Sequence, residues 1–548
     1  MFLFRLFIMT AKVPARIDHH FHYLDVKSVE SKGPRSVAFT FHGDKSTYNF
    51  RPATAADADV DEMIAVLVSA VRRVFPGVPL EHLLGRVELS PPERMSAAGE
   101  SAAWKSPDPK LIGPCGGFSA QYASMCDYYS LPFREEVAWD VDTIYFSHDS
   151  REMNLQDFEH LDTRDVACIL SSLEHNTWFN KIRVAAGGGG GHGGGGGSGS
   201  HGGAKLPAEL CDRIVQVAAK SVSLQELHVS TIGARWEFAA RLAQALTSNP
   251  CCALASFDLS CNFVEDKGIA QLSAAVAKMP KGLRHVNLSY CSLSHKGLIG
   301  FSQALVSNRQ TASTLTYLNI AGNTMKEESC HALCTFLAQP NVVAILDISA
   351  TDTPIDIMFG ALVRGCATSL THLNLSRNPF SATKKNKEIP AAFKQFFAGT
   401  LVLQYINMSH CKVPAEAIKH LLLGLACNEN TTNVELNLSN NGLCASGATV
   451  LENCVGTVRC VAKLDLSDNG IEAEMAGVMQ GVAKNKTLLS LNVSKNMTNV
   501  KPKHFPAVVE SIVQLVQEED SQLQKLNMSD CRLKGEMSNV INALGRLV

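Results

Sequence analysis

Leu254-Ala255-Ser256-Phe257-Asp258-Leu259-Ser260-Cys261-Asn262 is the stretch that decides the fold. Its apolar residues sit at the first, fourth and sixth positions, and an asparagine closes it at the ninth. The same pattern returns at Leu315…Leu318…Ile320…Asn323, Leu370…Leu373…Leu375…Asn378, Val461…Leu464…Leu466…Asn469 and Leu488…Leu491…Val493…Asn496. Weaker copies centre on Leu227, Val286, Leu346, Ile406, Leu436 and Leu526, which makes eleven spaced 27 to 35 residues apart. A period near 30 with this consensus is the signature of a leucine-rich repeat. Each unit cannot bury its apolar face alone and shares one continuous core with its neighbours.

Between the strand patterns run apolar residues at helical spacing, as in Ala239–Ser248, Ala415–Cys427 and Pro506–Gln517. One strand and one helix per period predict an α/β leucine-rich-repeat horseshoe, a ribonuclease-inhibitor-like solenoid with strands on the concave side. The ninth-position residue lies where the strand turns, and its side chain can bond backbone groups left unpaired there. Cys291, Cys411 and Cys531 occupy that slot and read as structural thiols.

The outward-facing strand positions carry the functional expectation. One is Asp or Asn in nearly every copy, from Asp258 and Asn287 to Asn492 and Asn527. That row reads as a stacked amide and carboxylate ladder. The preceding outward position varies: His285, Tyr317, His372, Tyr405, Glu435, Lys463 and Lys525. Exposed, variable, aromatic and charged residues on a concave sheet are where a protein partner would be recognised.

Composition sets the limits. The chain has 548 residues, 46% of them apolar, with a formal net charge of −2. It is too long for one core, and no basic excess points to nucleic acid. Its 17 cysteines show no recurring framework spacing, as expected of reduced thiols. No run approaches the roughly 18 apolar residues of a membrane span. Met1–Met9 reads as a strand better than as a signal peptide, because Arg5 interrupts a very short apolar run. The Asn-x-Ser sequons at Asn287, Asn374, Asn407, Asn437, Asn492 and Asn527 are by-products of the repeat strand.

Upstream of the repeats, Phe2–Lys12, Ile17–Val26, Ser36–His42 and Ser46–Phe50 read as strands, and Asp57–Phe75 as a helix stopped by Pro76-Gly77. Four strands closed by one helix suggest part of a pleckstrin-homology (PH) barrel, with about three strands missing and an exposed edge at Phe2–Lys12. The organisation expected is a partial PH-like domain at 1–80, a linker at 81–114, a mostly helical solenoid cap at 115–184, a flexible, dispensable Gly-rich insertion at 185–204 and repeats from 205 to 548.

Chemistry is hard to find. The poly-Gly stretch at 187–197 matches a dinucleotide fingerprint trivially, with no buried strand before it or helix after it. Cys330, Leu333, Cys334 and Leu337 make a helix core face that does not read as a zinc site. His19, His20 and His22 lack acidic or thiol partners at ligand spacing, and Lys384, Lys385 and Lys387 make a solvated basic loop. No catalytic, cofactor-binding or metal-ligating residue is expected, and no enzyme activity.

Six motifs add a resemblance: Thr10-Ala-Lys-Val-Pro14, Gly113-Pro-Cys-Gly-Gly-Phe-Ser119, Arg134-Glu-Glu-Val-Ala-Trp-Asp-Val-Asp-Thr-Ile-Tyr145, Arg151-Glu-Met-Asn-Leu-Gln-Asp-Phe158, Leu337-Ala-Gln-Pro340 and Leu421-Leu-Leu-Gly-Leu-Ala-Cys-Asn428. On these the chain is similar to the CARMIL family of actin capping-protein regulators. The resemblance implies a divergent PH domain, a capped repeat domain, and then a helical dimerisation region and a disordered tail that binds capping protein. This sequence is expected to be truncated at both ends. Its final Gly545-Arg-Leu-Val548 precedes any basic tail motif, so tight binding of capping protein by this chain is not expected. The resemblance further implies a scaffold at lamellipodia, cytoplasmic with cytoskeletal and inner plasma-membrane association through a weak peripheral contact. The competing reading is a generic repeat adaptor of immune-sensor or inhibitor type with no actin role.

Overall fold

The computed structural model describes residues 4–33, 35–44, 46–51, 58–90, 112–185, 205–380, 388–518, 520–532 and 538. The Gly-rich insertion from 186, the basic loop at 384–387, most of the linker and the last ten residues lie outside them. The chain divides into two compact units, one of residues 1–234 and 241–254, the other of 235–240 and 255–548.

In the first unit, β1 (Arg5–Met9) pairs antiparallel with β2 (Ile17–His22). A second sheet holds β3 (Val26–Gly33), β4 (Ser36–Phe41), β5 (Thr47–Phe50) and β6 (Arg86–Ser90), in the order β5-β4-β3-β6. Six strands therefore stand where the sequence suggests four. Val26–Gly33 is a strand of its own because a 3-10 turn at Tyr23–Asp25 separates it from β2. β6 lies inside the expected linker and runs parallel to β3. It is reached through Gly85, at φ +60°, where a Cβ would meet the Lys27 carbonyl at 2.3 Å. The Ala58–Val74 helix buries Val60, Ile64, Leu67, Val68, Val71 and Val74, with Met63 half-buried. Apolar spacing of three and four makes that face.

The β1–β2 hairpin is tied to the helix Pro114–Tyr129. Arg5 Nε donates to Asp127 Oδ2 at 2.7 Å, and His22 meets Ser124 Oγ at 3.3 Å. His22 is 1% exposed. Its Nδ1 accepts the Leu24 N–H at 3.1 Å, which leaves the ring hydrogen on Nε2 to donate to Ser124. Burial lowers its pKa to about 4, against the opposing field of Asp127.

The Gly113–Ser119 motif now has a physical reason. Cys115, Gly116 and Gly117 all take left-handed φ, and a Cβ on Gly116 would crowd Trp178 at 3.0 Å. Asn176 fastens this bend. Its amide donates to the Cys115 carbonyl at 3.0 Å and to Gln121 at 2.8 Å, and its oxygen accepts the N–H groups of Trp178 and Phe179. The Arg151 guanidinium lies 3.5 Å over the Trp178 ring. The cap is helical for most of its length, yet it also holds two three-residue strands, β7 (Glu152–Asn154) and β8 (Lys181–Arg183). These run parallel to each other and to β9 (Glu226–His228). A solenoid-type sheet thus begins before the first recognisable repeat.

The second unit carries ten parallel strands: β10 (Ser256–Asp258), β11 (His285–Asn287), β12 (Tyr317–Asn319), β13 (Ile345–Asp347), β14 (His372–Asn374), β15 (Tyr405–Asn407), β16 (Val434–Asn437), β17 (Val461–Asp465), β18 (Ser490–Asn492) and β19 (Lys525–Asn527). Each pairs in sequence order with the next. Leu259, Leu375 and Leu466 are buried, at 1%, 0% and 0% exposure, as the repeat reading requires. A helix follows most strands, and Phe359, Phe380, Phe393, Phe396 and Phe397 form an aromatic cluster under β13 to β15. The expected α/β leucine-rich-repeat fold with a PH-like β domain ahead of it is the fold found.

Candidate protein-binding face

The ninth-position ladder sets the geometry of this face. Asn378 Oδ1 accepts the N–H groups of Thr351 and Thr353, and its amide donates to the carbonyls of Ile348 and Leu375. Asn323, Asn441, Asn469 and Asn496 likewise join their own turn to the preceding one. The cysteines in this slot do less. Cys291 Sγ donates to the Leu259 carbonyl at 3.1 Å, Cys411 to Leu375 at 3.3 Å and Cys531 to Val493 at 3.4 Å. Burial pushes the Cys411 thiol up to about 11, so it stays protonated.

Sequence reasoning missed a second asparagine ladder. Asn249, Asn308, Asn341, Asn428 and Asn485 follow the repeat helices, and each donates twice to carbonyls at a helix end. These are carbonyls a helix terminus leaves unpaired. Asn after five of the repeat helices was the available signal, blurred because others, such as Phe359–Gly365 and Ala391–Gly399, are followed by Cys366 and Thr400 instead.

The Asp and Asn residues at the strand ends share one register row, and side-chain bonds join three separate pairs in it. Asn287 Nδ2 donates to Asp258 at 2.9 Å, Asn374 to Asp347 at 2.9 Å and Asn492 to Asp465 at 3.0 Å. The remaining oxygen of such residues accepts the N–H two positions on, as at Ser289 and Ser376.

Two residues upstream, the seven candidate residues fall into a single register row. His285 pairs with Tyr317, Tyr317 with Ile345, Ile345 with His372, His372 with Tyr405, Tyr405 with Glu435 and Glu435 with Lys463. Lys463 then pairs with Ser490, and Ser490 with Lys525. Ile345, Ser490 and, at the start, Ser256 complete the row, although aromatic and charged residues alone drew attention in the sequence. The row has two halves. The His285 and Tyr317 rings stack at 3.9 Å and 7°, and those of His372 and Tyr405 lie 5.8 Å apart at 29°. Partial burial raises the pKa of both tyrosines, which therefore stay neutral phenols. Beyond them the row turns ionic, with Lys463 Nζ 3.0 Å from Glu435 Oε2. That pair is exposed, so it adds little stability and leaves both charges open to a partner.

A third row borders these two. The residue before each ladder residue is left-handed: Cys261, Tyr290, Ala350, Arg377, His410, Asn440, Asp468, Lys495 and Asp530 at φ between 53° and 60°, and Gly322 at 67°. Its N–H reaches the next strand's turn, as Tyr290 does to Ala321 and Arg377 to Ser409, both at 2.8 Å. Tyr290 is 47% exposed and lies against Gly322, where a Cβ would meet the ring at 2.3 Å.

Parallel repeats with a partly stacked, partly ionic outward row, preceded by a small β domain, define a leucine-rich-repeat protein. The comparisons narrow the class. The model of the CARMIL family LRR domain matches residues 115–547, and that of the Carmil pleckstrin homology domain matches residues 1–76. The chain belongs to the CARMIL family. It is 36% identical over 99% of its length to the human "Capping protein, Arp2/3 and myosin-I linker protein 3". It is 32% identical to the mouse linker protein 2, again over 99% of its length, and 27% identical to Dictyostelium discoideum "Protein CARMIL" over 96%. The chain spans 38% of each of the two mammalian relatives and 48% of the Dictyostelium one.

Proposed function

We propose that this chain is a non-enzymatic protein-binding scaffold in the actin capping-protein pathway, and that the row from His285 to Lys525 is its partner-contacting surface. The observation that carries the surface is register: seven residues chosen for their chemistry stand on consecutive or near-consecutive strands, side by side. Aromatic rings over one half of the row and charges over the other supply the two kinds of group that protein interfaces use, where aromatic anchors supply most of the energy. Family membership supports the pathway. The work is placed at the inner plasma membrane of lamellipodia, with any membrane contact peripheral. Among the described residues no helix is long and apolar enough to cross a membrane.

The names of the mammalian relatives supply three probes: capping protein, Arp2/3 complex and a myosin-I. Each is titrated against the purified chain and against a Tyr317→Ala, Tyr405→Ala double variant. At least one of Arp2/3 and myosin-I should bind the chain and weaken tenfold or more with the double variant, while capping protein binds more weakly than about 1 μM. If none binds below about 100 μM, the scaffold reading of this chain fails. Binding unchanged by the double variant removes the row as the contact surface.

A further inference from the structure

The solenoid cap carries an exposed apolar face that the row from His285 to Lys525 does not explain. The helix Glu135–Trp139 runs on into a π-helix at Asp140–Tyr145, where the Phe146 N–H reaches back to the Val141 carbonyl. Stretches of π-helix are rare and occur mostly at functional sites. The wider turn keeps residues four apart on one face, and Val137, Val141 and Tyr145 are all buried. Trp139 stands midway between two of these buried positions and faces outward. It is 60% exposed, and Ile144 and Phe146 are 43% and 49% exposed. Single exposed apolar residues are ordinary, but three large ones within eight residues, a tryptophan among them, have the composition of a binding surface. Its support is fixed. The Phe146 ring lies 5.9 Å from that of Trp178, the Arg151 guanidinium covers the same Trp178 ring, and the Trp178 indole N–H donates to the Ser150 carbonyl at 2.9 Å. A pre-organised surface loses little freedom when a partner settles on it.

Charge says what covers this face. Residues 131–163 hold nine Asp and Glu against two Arg, a formal charge of −7, in a chain whose total is −2. Both arginines are engaged, Arg134 with Asp165 at 2.8 Å and Arg151 with Asp149 at 3.1 Å. Glu135, Glu136 and Asp140 share the helical segment with Trp139 and hold no ion pair among the described residues. Such a field repels an anionic membrane and attracts a cationic partner. The segment from Glu135 to Ser147 is about 20 Å long, and an amphipathic helix of similar length can pack alongside it.

We propose that the segment from Glu135 to Ser147 docks a basic amphipathic helix of a partner protein. Large apolar side chains of that helix pack on Trp139, Ile144 and Phe146, and its Lys or Arg residues reach Glu135, Glu136 and Asp140. A wholly apolar helix leaves these carboxylates without a counter-charge, and a wholly basic segment leaves the indole in water. The rings supply the energy of such a contact, and the carboxylates steer association and fix the register.

The test is fluorescence anisotropy of a labelled amphipathic helix of leucine and lysine, about 18 residues long so that it is helical, titrated with the full chain. Saturable binding with a Kd below about 20 μM is expected. The equivalent helix of leucine and glutamate, and a helix of alanine and lysine without large apolar side chains, should each bind at least tenfold more weakly. Trp139→Ser should weaken the leucine–lysine helix tenfold or more, and Trp139→Phe, which keeps a ring, should fall between. The triple variant Glu135→Gln, Glu136→Gln, Asp140→Asn should weaken it fivefold or more, with the difference shrinking as salt rises. Exposed controls in the other unit, Glu327→Gln with Glu328→Gln and Val342→Ser, should change nothing. No saturable binding, or binding indifferent to Trp139→Ser and to the triple variant, overturns the proposal. So does a chain that sediments as a dimer and becomes monomeric with Trp139→Ser, which gives the face to a second copy. Adhesion to phosphatidylserine vesicles that is lost with Trp139→Ser gives it to a membrane and overturns the proposal too.

Discussion

Asn378 joins two turns with one amide bonded to four backbone groups in a buried loop, and of these the Ile348 and Leu375 carbonyls also accept the Thr351 hydroxyl and the Cys411 thiol. Asn378→Ala strands the N–H groups of Thr351 and Thr353, and we expect a loss of about 3 kcal/mol after partial rescue by water. Cys411 holds the same slot with a single weak thiol donor to a neighbouring turn, so Cys411→Ala should cost about 1 kcal/mol. Urea unfolding of both variants decides the matter, and equal losses would mean that the slot is only filled space. The adjoining left-handed slot predicts opposite signs for two small changes. Arg377→Gly relieves a side chain held at φ 59°, and the gain should be about 0.5 kcal/mol after the extra chain entropy of glycine. Gly322→Ala puts a Cβ against the Tyr290 ring at φ 67° and should cost about 1–2 kcal/mol. None of this slot was legible in the sequence. Nine different residue types stand there, only one of them glycine, because neighbouring hydrogen bonds enforce a conformation that local preference does not ask for.

At the scale of elements, the repeat strands were legible because Phe257, Leu318, Leu373 and Leu464 keep a fixed spacing to the apolar residues of their own strand pattern, whatever the length of the loop between patterns. The outward row followed from the same count, since its residues stand two places before the Asp or Asn. Four strands were not legible, and the first is β3, which the 3-10 turn at Tyr23–Asp25 divides from β2. β7 and β8 carry one apolar residue each, Met153 and Ile182, too few to show a pattern. β6 sits after a helix and a Gly85 turn, in a stretch whose composition reads as a connector. The expectation of a loose, incomplete β domain is also altered by contacts that no local pattern reveals, since Arg5 binds a carboxylate 122 residues away. Arg5→Ala should therefore free the β1–β2 hairpin selectively. Limited proteolysis should then cut residues 4–22 several times faster while the repeats stay intact. An unchanged cleavage rate would show that the hairpin is held by apolar packing alone.

For the whole molecule, the two units should respond differently to acid. His22 and His175 both lie in the first unit, and burial holds their pKa values at about 4 and about 3, below the 6.5 of an unfolded chain. Between pH 6.5 and 4 the unfolded chain thus binds more protons than the folded one. The stability due to these neutral imidazoles is complete above pH 6.5 and is lost as pH falls toward 4. At pH 5 each should subtract about 2 kcal/mol from the unit that holds it. Amide hydrogen exchange at pH 7 and pH 5, corrected for intrinsic rates, should show protection falling in residues 4–90 and 112–185 and little change across 255–518. Uniform loss in both units would contradict this. A His22→Gln variant should lose about half of the acid sensitivity, since one of the two titrating rings remains.

The outward row can also be considered as a ruler. Neighbouring strands stand about 4.8 Å apart, whereas successive turns of an α-helix advance about 5.4 Å. A helix laid across the row gains about 0.6 Å per strand and is half a step out of phase after about four. The stacked stretch from His285 to Tyr405 spans five strands, close to the distance over which one helical face keeps time with it. Past Tyr405 the rungs become Glu435 and Lys463, whose long side chains tolerate misalignment that rings do not. The row thus has a coarse end and a fine end, and the fine end is about as long as a rigid helical visitor can follow.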